Sequence, residues 1–193
     1  KIKAAFSFAP PSILSLTIYR DSVYKEKSEE VDNMLIVELV ILCILFWGIC
    51  YLNTGSDDKN IKSYASYPDE VQEMVKKNPA LQFKIKTVSP FVSFISNIVV
   101  FGTVLFIFGL FVKENGFKAN FISLLILGQC LNAFDFLVID MLWWRNSKRV
   151  RFADTKDRKK LYSNPKKHFA SFLKGIAAFL IIAVIDGAIL TLF

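Results

Sequence analysis

Four stretches of this chain are long and apolar enough to cross a lipid bilayer, and nothing else in the sequence restricts the possible folds as much. A hydrocarbon core of about 30 Å is crossed by about 20 residues of helix. Runs of that kind occupy residues 34–53, 90–112, 120–144 and 169–193. In lipid every backbone N–H and C=O needs a partner within the protein, so such runs fold as helices. The fold class is therefore all-α, a polytopic transmembrane helical bundle. Phe, Ile, Leu and Val dominate the spans, and the whole chain is 53% hydrophobic with a mean hydropathy of +0.41.

A fifth apolar stretch, Ala4 to Tyr19, is about 16 residues long and interrupted by Pro10-Pro11. It is too short for a comfortable crossing and lacks a small-residue cleavage site, which predicts an interfacial or re-entrant segment starting at Pro11.

The formal charge of +7 is unevenly spread. Residues 145–174 carry 11 basic and 2 acidic side chains, and the remainder carries 13 basic and 15 acidic. Loops 54–89 and 145–168 hold most of the loop Lys and Arg, which predicts that both face the cytoplasm. Anionic lipid head groups are the natural partners of such a segment. Nucleic acid is not, because the basic run is tethered to the membrane at both ends and has few interleaved aromatics. A homo-oligomer or a membrane partner protein is compatible with the sequence.

Between the first two long spans, Pro68-Asp69-Glu70 opens a stretch that closes on Lys76-Lys77-Asn78-Pro79. Acids in a first turn, lysines in a last turn and Asn-Pro as a stop predict a short helix over about 68–78. Its apolar stripe, Val71, Met74 and Val75, is expected on the membrane surface or on the bundle.

Charged side chains inside a bilayer cost a few kcal/mol on insertion scales, so Glu38, Asp135, Asp140 and Asp186 each require a reason. Glu38 reads as an interfacial carboxyl near the outer face, and Asp186 as a group near the outer end that pairs with Glu38 or with water. The third long span is the most informative. At about 100° per residue, Gln129, Asn132, Asp135 and Asp140 fall within roughly 140° of one another, a polar face that belongs against the bundle or a wet cavity. Asp135 and Asp140 are expected to pair with Arg145, Lys148 or Arg149, or with His168, the chain's one histidine. His168 is thereby a candidate proton acceptor or a single ligand of a divalent metal. Arg145, Lys148, Arg149 and Arg151 are candidates for binding an anionic head group. Cys43, Cys50 and Cys130 all lie in spans with no C-x-x-C spacing, so neither a disulfide framework nor a zinc site is indicated, and no sequence motif names a cofactor.

The run from Phe134 to Trp144 (FDFLVIDMLWW), followed by Ser147-Lys148-Arg149-Val150-Arg151 and later by His168, resembles a family of small, uncharacterised multi-span membrane proteins from Gram-positive bacteria. An aspartate pair, a tryptophan, a basic segment and a histidine recur in it. Its Gly-Thr-Glu-Asp-like stretch is replaced here by Ala153-Asp154-Thr155-Lys156-Asp157. The likeness covers roughly residues 64–193 and implies a bacterial plasma membrane without implying an activity. Three functions suit the residues. The first is a small transport-type or ligand-binding protein with an acid-containing cavity in the cytoplasmic half of the bundle. The second is a membrane enzyme acting on a phosphorylated lipid head group, and the third a subunit or scaffold docking a partner or anionic lipid through its basic loop.

Overall fold

A computed structural model describes residues 13–192, with side chains from Glu29 onward. Seven α-helices follow one another among the described residues, and no strand is present: α1 (Ile13–Leu52), α2 (Asp57–Asn60), α3 (Asp69–Lys77), α4 (Pro79–Gln82), α5 (Pro90–Gly109), α6 (Phe117–Phe134) and α7 (Lys166–Thr191). The α6 rod continues without a break as a π-helix over Asp135–Trp144. Four helical segments are long and apolar enough to cross a membrane, Glu29–Leu52, Pro90–Gly109, Phe117–Trp144 and Lys159–Thr191. They match the four expected spans and make the all-α bundle. Ile36, Val40, Ile44, Val99, Val100, Leu180 and Val184 all point outward, an apolar girdle suited to lipid.

The N-terminal expectation is only partly within view. Residues 4–12 lie outside the described residues. Ile13–Tyr19 do not form a separate element; they begin the same continuous helix as the first span. The physical reason is the absence of any Pro or Gly between Pro11 and Gly48, which leaves nothing to interrupt helical propagation.

Within the bundle, α7 is the hub. It packs most extensively on α6 and next on α5, while α1 lies against α6. Leu105, Leu124, Leu127, Ile182 and Ala183 form the dry centre. Without a hydrophobic driving force between helices in lipid, close van der Waals approach decides such packing. Gly187 supplies it: a Cβ added there would meet the Phe121 backbone nitrogen at 3.1 Å.

The largest departure from expectation lies outside the bundle. Loop 54–89 and the basic segment after Trp144 fold on each other into a cap with its own core of Ile61, Tyr67, Val71, Val150, Phe152 and Tyr162. Val71 and Val75 of α3 therefore rest on the basic segment, where membrane surface or bundle was expected. Tyr67 is 1% exposed, its ring sits 4.9 Å from Phe152 and 5.1 Å from Trp144, and its hydroxyl donates to the Val150 carbonyl at 2.7 Å. Burial pushes that hydroxyl well above the usual phenol range, so it remains a donor at any physiological pH. Asn60 Nδ2 donates to the Arg149 and Arg151 carbonyls at 3.2 and 3.4 Å, and the Ala153 N–H donates to Asp57 Oδ1 at 3.0 Å. These contacts put both large loops at one end of the bundle.

Aromatic rings mark the boundary between bundle and cap. Trp47, Tyr51 and Trp143 lie with ring centroids 5.5 to 6.5 Å apart, as expected of an interfacial belt.

Candidate functional site

The polar face of the third long span is divided among three tasks. Gln129 Nε2 donates to the Ile176 carbonyl at 3.0 Å and Asn132 Nδ2 to the Phe172 carbonyl at 3.2 Å, so both amides tie α6 to α7. Asn132 and Asp135 line a cavity of about 400 Å³; Gln129 and Asp140 do not line it. Asp140 instead faces the start of α7. A projection at 100° per residue does not carry from Asp135 to Asp140, because the wider i→i+5 winding runs over Asp135–Trp144. Wide turns of this kind are rare and concentrate at functional sites.

The cavity runs from the cap to about the middle of the spans. Ala65, Ser66 and Lys167 bound it at the cap end, and Phe101, Phe179 and Ile182 close it deep in the bundle. The Phe101 and Phe179 rings touch edge to face at 5.4 Å, where α5 and α7 converge. Along α7 this depth is about 22 Å by the helical rise. Ser93 and Asn97 of α5 and Ser171 and Lys174 of α7 stand on the walls, four residues and three residues apart, so each pair occupies one helix face. Sequence reasoning overlooked that wall, although an i, i+4 pair of polar residues in an otherwise apolar span was the signal available.

His168 and Asp140 form the most buried ionisable pair among the described residues. His168 Nδ1 donates to Asp140 Oδ1 at 2.8 Å, and both side chains are largely buried. The Trp144 ring stands edge-on to the imidazole at 4.6 Å, and Nε2 is buried without a hydrogen-bond partner. A proton on Nδ1 satisfies this geometry, because it leaves at Nε2 a lone pair and not an orphaned donor. Of the partners expected for the two aspartates, His168 is the one realised, and for Asp140 alone. Among the described residues no three His, Cys, Asp or Glu side chains converge in a way that would hold a metal. Replacing Asp140 by alanine is expected to destabilise the detergent-solubilised protein by about 1–3 kcal/mol, the cost of a buried group left unpaired, whereas asparagine retains an acceptor for Nδ1–H and most of the stability. Equal thermal unfolding of the two variants would show that the pair is idle.

The four basic candidates have separate duties. Arg145 donates to the Ser163 carbonyl at 2.6 Å, and Lys148 pairs with Asp157 at 2.9 Å. Arg149 donates to the Tyr51 carbonyl at 3.2 Å and lies 4.0 Å over the Tyr51 ring, which fastens the basic segment to the end of α1. Arg151 is buried in the cap, with Nη1 donating to the Lys156 carbonyl at 2.9 Å. The four thus do not gather around one point. Lys156, Arg158, Lys159 and Lys160 keep the basic surface of the cap exposed.

Two carboxyls remain inside the bundle far from the cap. Glu38 is 4% exposed with neither oxygen hydrogen-bonded, so it is buried against its neighbours and not exposed. Asp186 is also buried, and its Oδ2 has no partner. The expected pairing of the two through a shared proton is not formed, since both Glu38 oxygens stand alone. At the cavity mouth, Lys167 Nζ lies 2.7 Å from Asp69 Oδ1 and holds that carboxyl below its ordinary range. This contact couples the cap to the first turn of α7.

No family model, curated protein or solved structure matches this chain.

Proposed function

We propose that the chain is a small transport-type or ligand-binding protein of a bacterial plasma membrane, with the cap in the cytoplasm and the cavity beneath it as the binding place. The observation that carries this reading is the cavity wall. Asp135, Asn132, Asn97 and Lys174 face a common space within segments apolar enough to span a bilayer. Charges so placed are costly against lipid and are characteristic of ligand and ion pathways. A volume of about 400 Å³ suits a small molecule. Orientation is supported by the exposed Lys156, Arg158, Lys159 and Lys160 on the cap, the side that the loop-charge rule assigns to the cytoplasm.

Asp135 is the one carboxyl lining this cavity among the described residues, and its occupancy by a proton is the natural coupling step. Asp140 and His168 serve it indirectly by fixing the first turn of α7. In proteoliposomes with an entrapped pH dye, the wild-type protein is expected to dissipate an imposed proton gradient, and Asp135→Asn to slow that dissipation at least about tenfold, as loss of the one titratable carboxyl on the wall requires. A dye response identical for wild type, variant and protein-free vesicles sinks proton-coupled transport.

A further inference from the structure

The charges of the cavity narrow the class of ligand. Asp135 and Lys174 line the same space, yet among the described residues they form no ion pair with each other or with any other side chain. The other lysine on the wall, Lys167, is engaged by Asp69. An acid and a base of opposite sign, held apart in one wet cavity, are complementary to a molecule that itself carries both signs. The lining is also graded. Its cap-side part offers Ser66, Ser93, Asn97, Ser171 and the charged groups, while its deep end is built from Phe46, Phe101, Phe179 and Ile182. The walls are not closed, for Ser93, Asn97, Ser171 and Lys174 are exposed between α5 and α7, where an apolar chain has a path to the bilayer.

We propose that this cavity binds a single-chain or splayed amphiphile with a zwitterionic head group, its phosphate on Lys174, its ammonium on Asp135 and its apolar chain toward the Phe101–Phe179 floor. The assignment deepens the ligand-binding reading and rests on it. Lys174 lies eight residues into α7, about 12 Å along the axis by the helical rise, so a phosphate it holds is drawn below the level of the surrounding head groups. Asp135 then selects for an amine over a neutral polar head. A purely anionic head would meet the Asp135 carboxylate without compensation, and a purely cationic one would meet Lys174.

The test uses the full chain in mild non-ionic detergent and three probes: lysophosphatidylethanolamine, lysophosphatidylglycerol and free phosphoethanolamine, with binding read by native mass spectrometry and by competition. Wild type is expected to bind the amine lysolipid at least about tenfold more tightly than the glycerol lysolipid, a difference of about 1.4 kcal/mol. Asp135→Asn is expected to bring that ratio close to one, while Lys174→Gln weakens both lysolipids about equally. Equal wild-type affinities, or a ratio unchanged in Asp135→Asn, overturns the head-group assignment. Phosphoethanolamine binding as tightly as its lysolipid overturns the amphiphile and leaves a soluble zwitterion as the ligand. A separate measurement isolates the underlying reading: in a chain with Cys43, Cys50 and Cys130 replaced by serine, Ser93→Cys in nanodiscs should react with a membrane-impermeant maleimide. Reaction together with failed lysolipid selectivity rejects this inference alone, and absence of reaction rejects the cavity as a wet site along with it.

Discussion

Replacing Tyr67 by alanine is expected to unfold the cap while leaving the four spans in place. The side chain is 1% exposed, packs on Trp144, Phe152 and Tyr162, and spends its hydroxyl on the Val150 carbonyl. Truncating a buried aromatic costs about 3–5 kcal/mol through lost transfer energy and the cavity left behind. That change raises the open population of the cap by roughly two to four orders of magnitude at about 1.4 kcal/mol per tenfold. Hydrogen exchange of the amides in 148–162, among them the Phe152 N–H that donates to the Tyr162 hydroxyl at 3.1 Å, should accelerate to match. Tyr67→Phe keeps the ring and strands one carbonyl, a cost of about 1–3 kcal/mol, and should fall between wild type and alanine. Exchange unchanged in Tyr67→Ala would mean that the two loops touch without depending on each other. Because Lys167 on the cavity wall pairs with Asp69 of α3, opening the cap should also loosen the cap end of the cavity.

Substituting valine for Gly187 is the second large effect. A Cβ there would stand 3.1 Å from the Phe121 nitrogen and 3.2 Å from its Cα, and backbone atoms cannot rotate aside as a side chain does. The two helices have to separate, and overpacking of this kind costs about 1–3 kcal/mol. Separation falls on the α6–α7 seam that Gln129 and Asn132 also hold closed. Gly48, on the outer side of α1, has nothing within 4 Å of its added Cβ, so Gly48→Val is the matched control and should be close to neutral. The comparison is read as the temperature of half-loss of folded protein in detergent. Equal temperatures for the two variants would remove close backbone approach as the basis of the α6–α7 contact.

How far the sequence led differs from element to element. Spans were readable because lipid forces all backbone hydrogen bonds inside one helix and thereby sets a minimum apolar length, a property local to each segment. The α3 helix was readable within a residue at each end, Asp69–Lys77 against an expectation of about 68–78, since Pro, acids, lysines and Asn-Pro are local boundary signals. The His168–Asp140 contact was legible as one of several options, because both residues had to lie at the same end of antiparallel spans. Asp135 was singled out as costly in lipid without any indication that Lys174 would share its cavity.

The cap was not legible, and the reason is distance along the chain. Tyr67 and Val150 are 83 residues apart, and each loop alone carries too few apolar residues to announce a core. Only their meeting removes Tyr67, Val71, Val150, Phe152 and Tyr162 from water together. The π-helix had no local signature either, and Asp135 lines the cavity with Asn132 while Asp140, five residues further along that wider winding, does not. Glu38 was placed by its position in the span, whereas its burial depends on which side of α1 meets the rest of the bundle.

From its sequence alone this chain determined four membrane-length helices, a short helix between the first two, a concentration of basic charge at one end and carboxyls where carboxyls are costly. Tertiary structure decided how the polar groups are divided: Gln129 and Asn132 to helix contacts, Asp140 to His168, and Asp135 with Lys174 to an open cavity. Apolar length and local boundary signals belong to single segments and are written in consecutive residues. A cavity belongs to the space between segments, and it exists only where α5 and α7 converge at Phe101 and Phe179 and leave room nearer the cap.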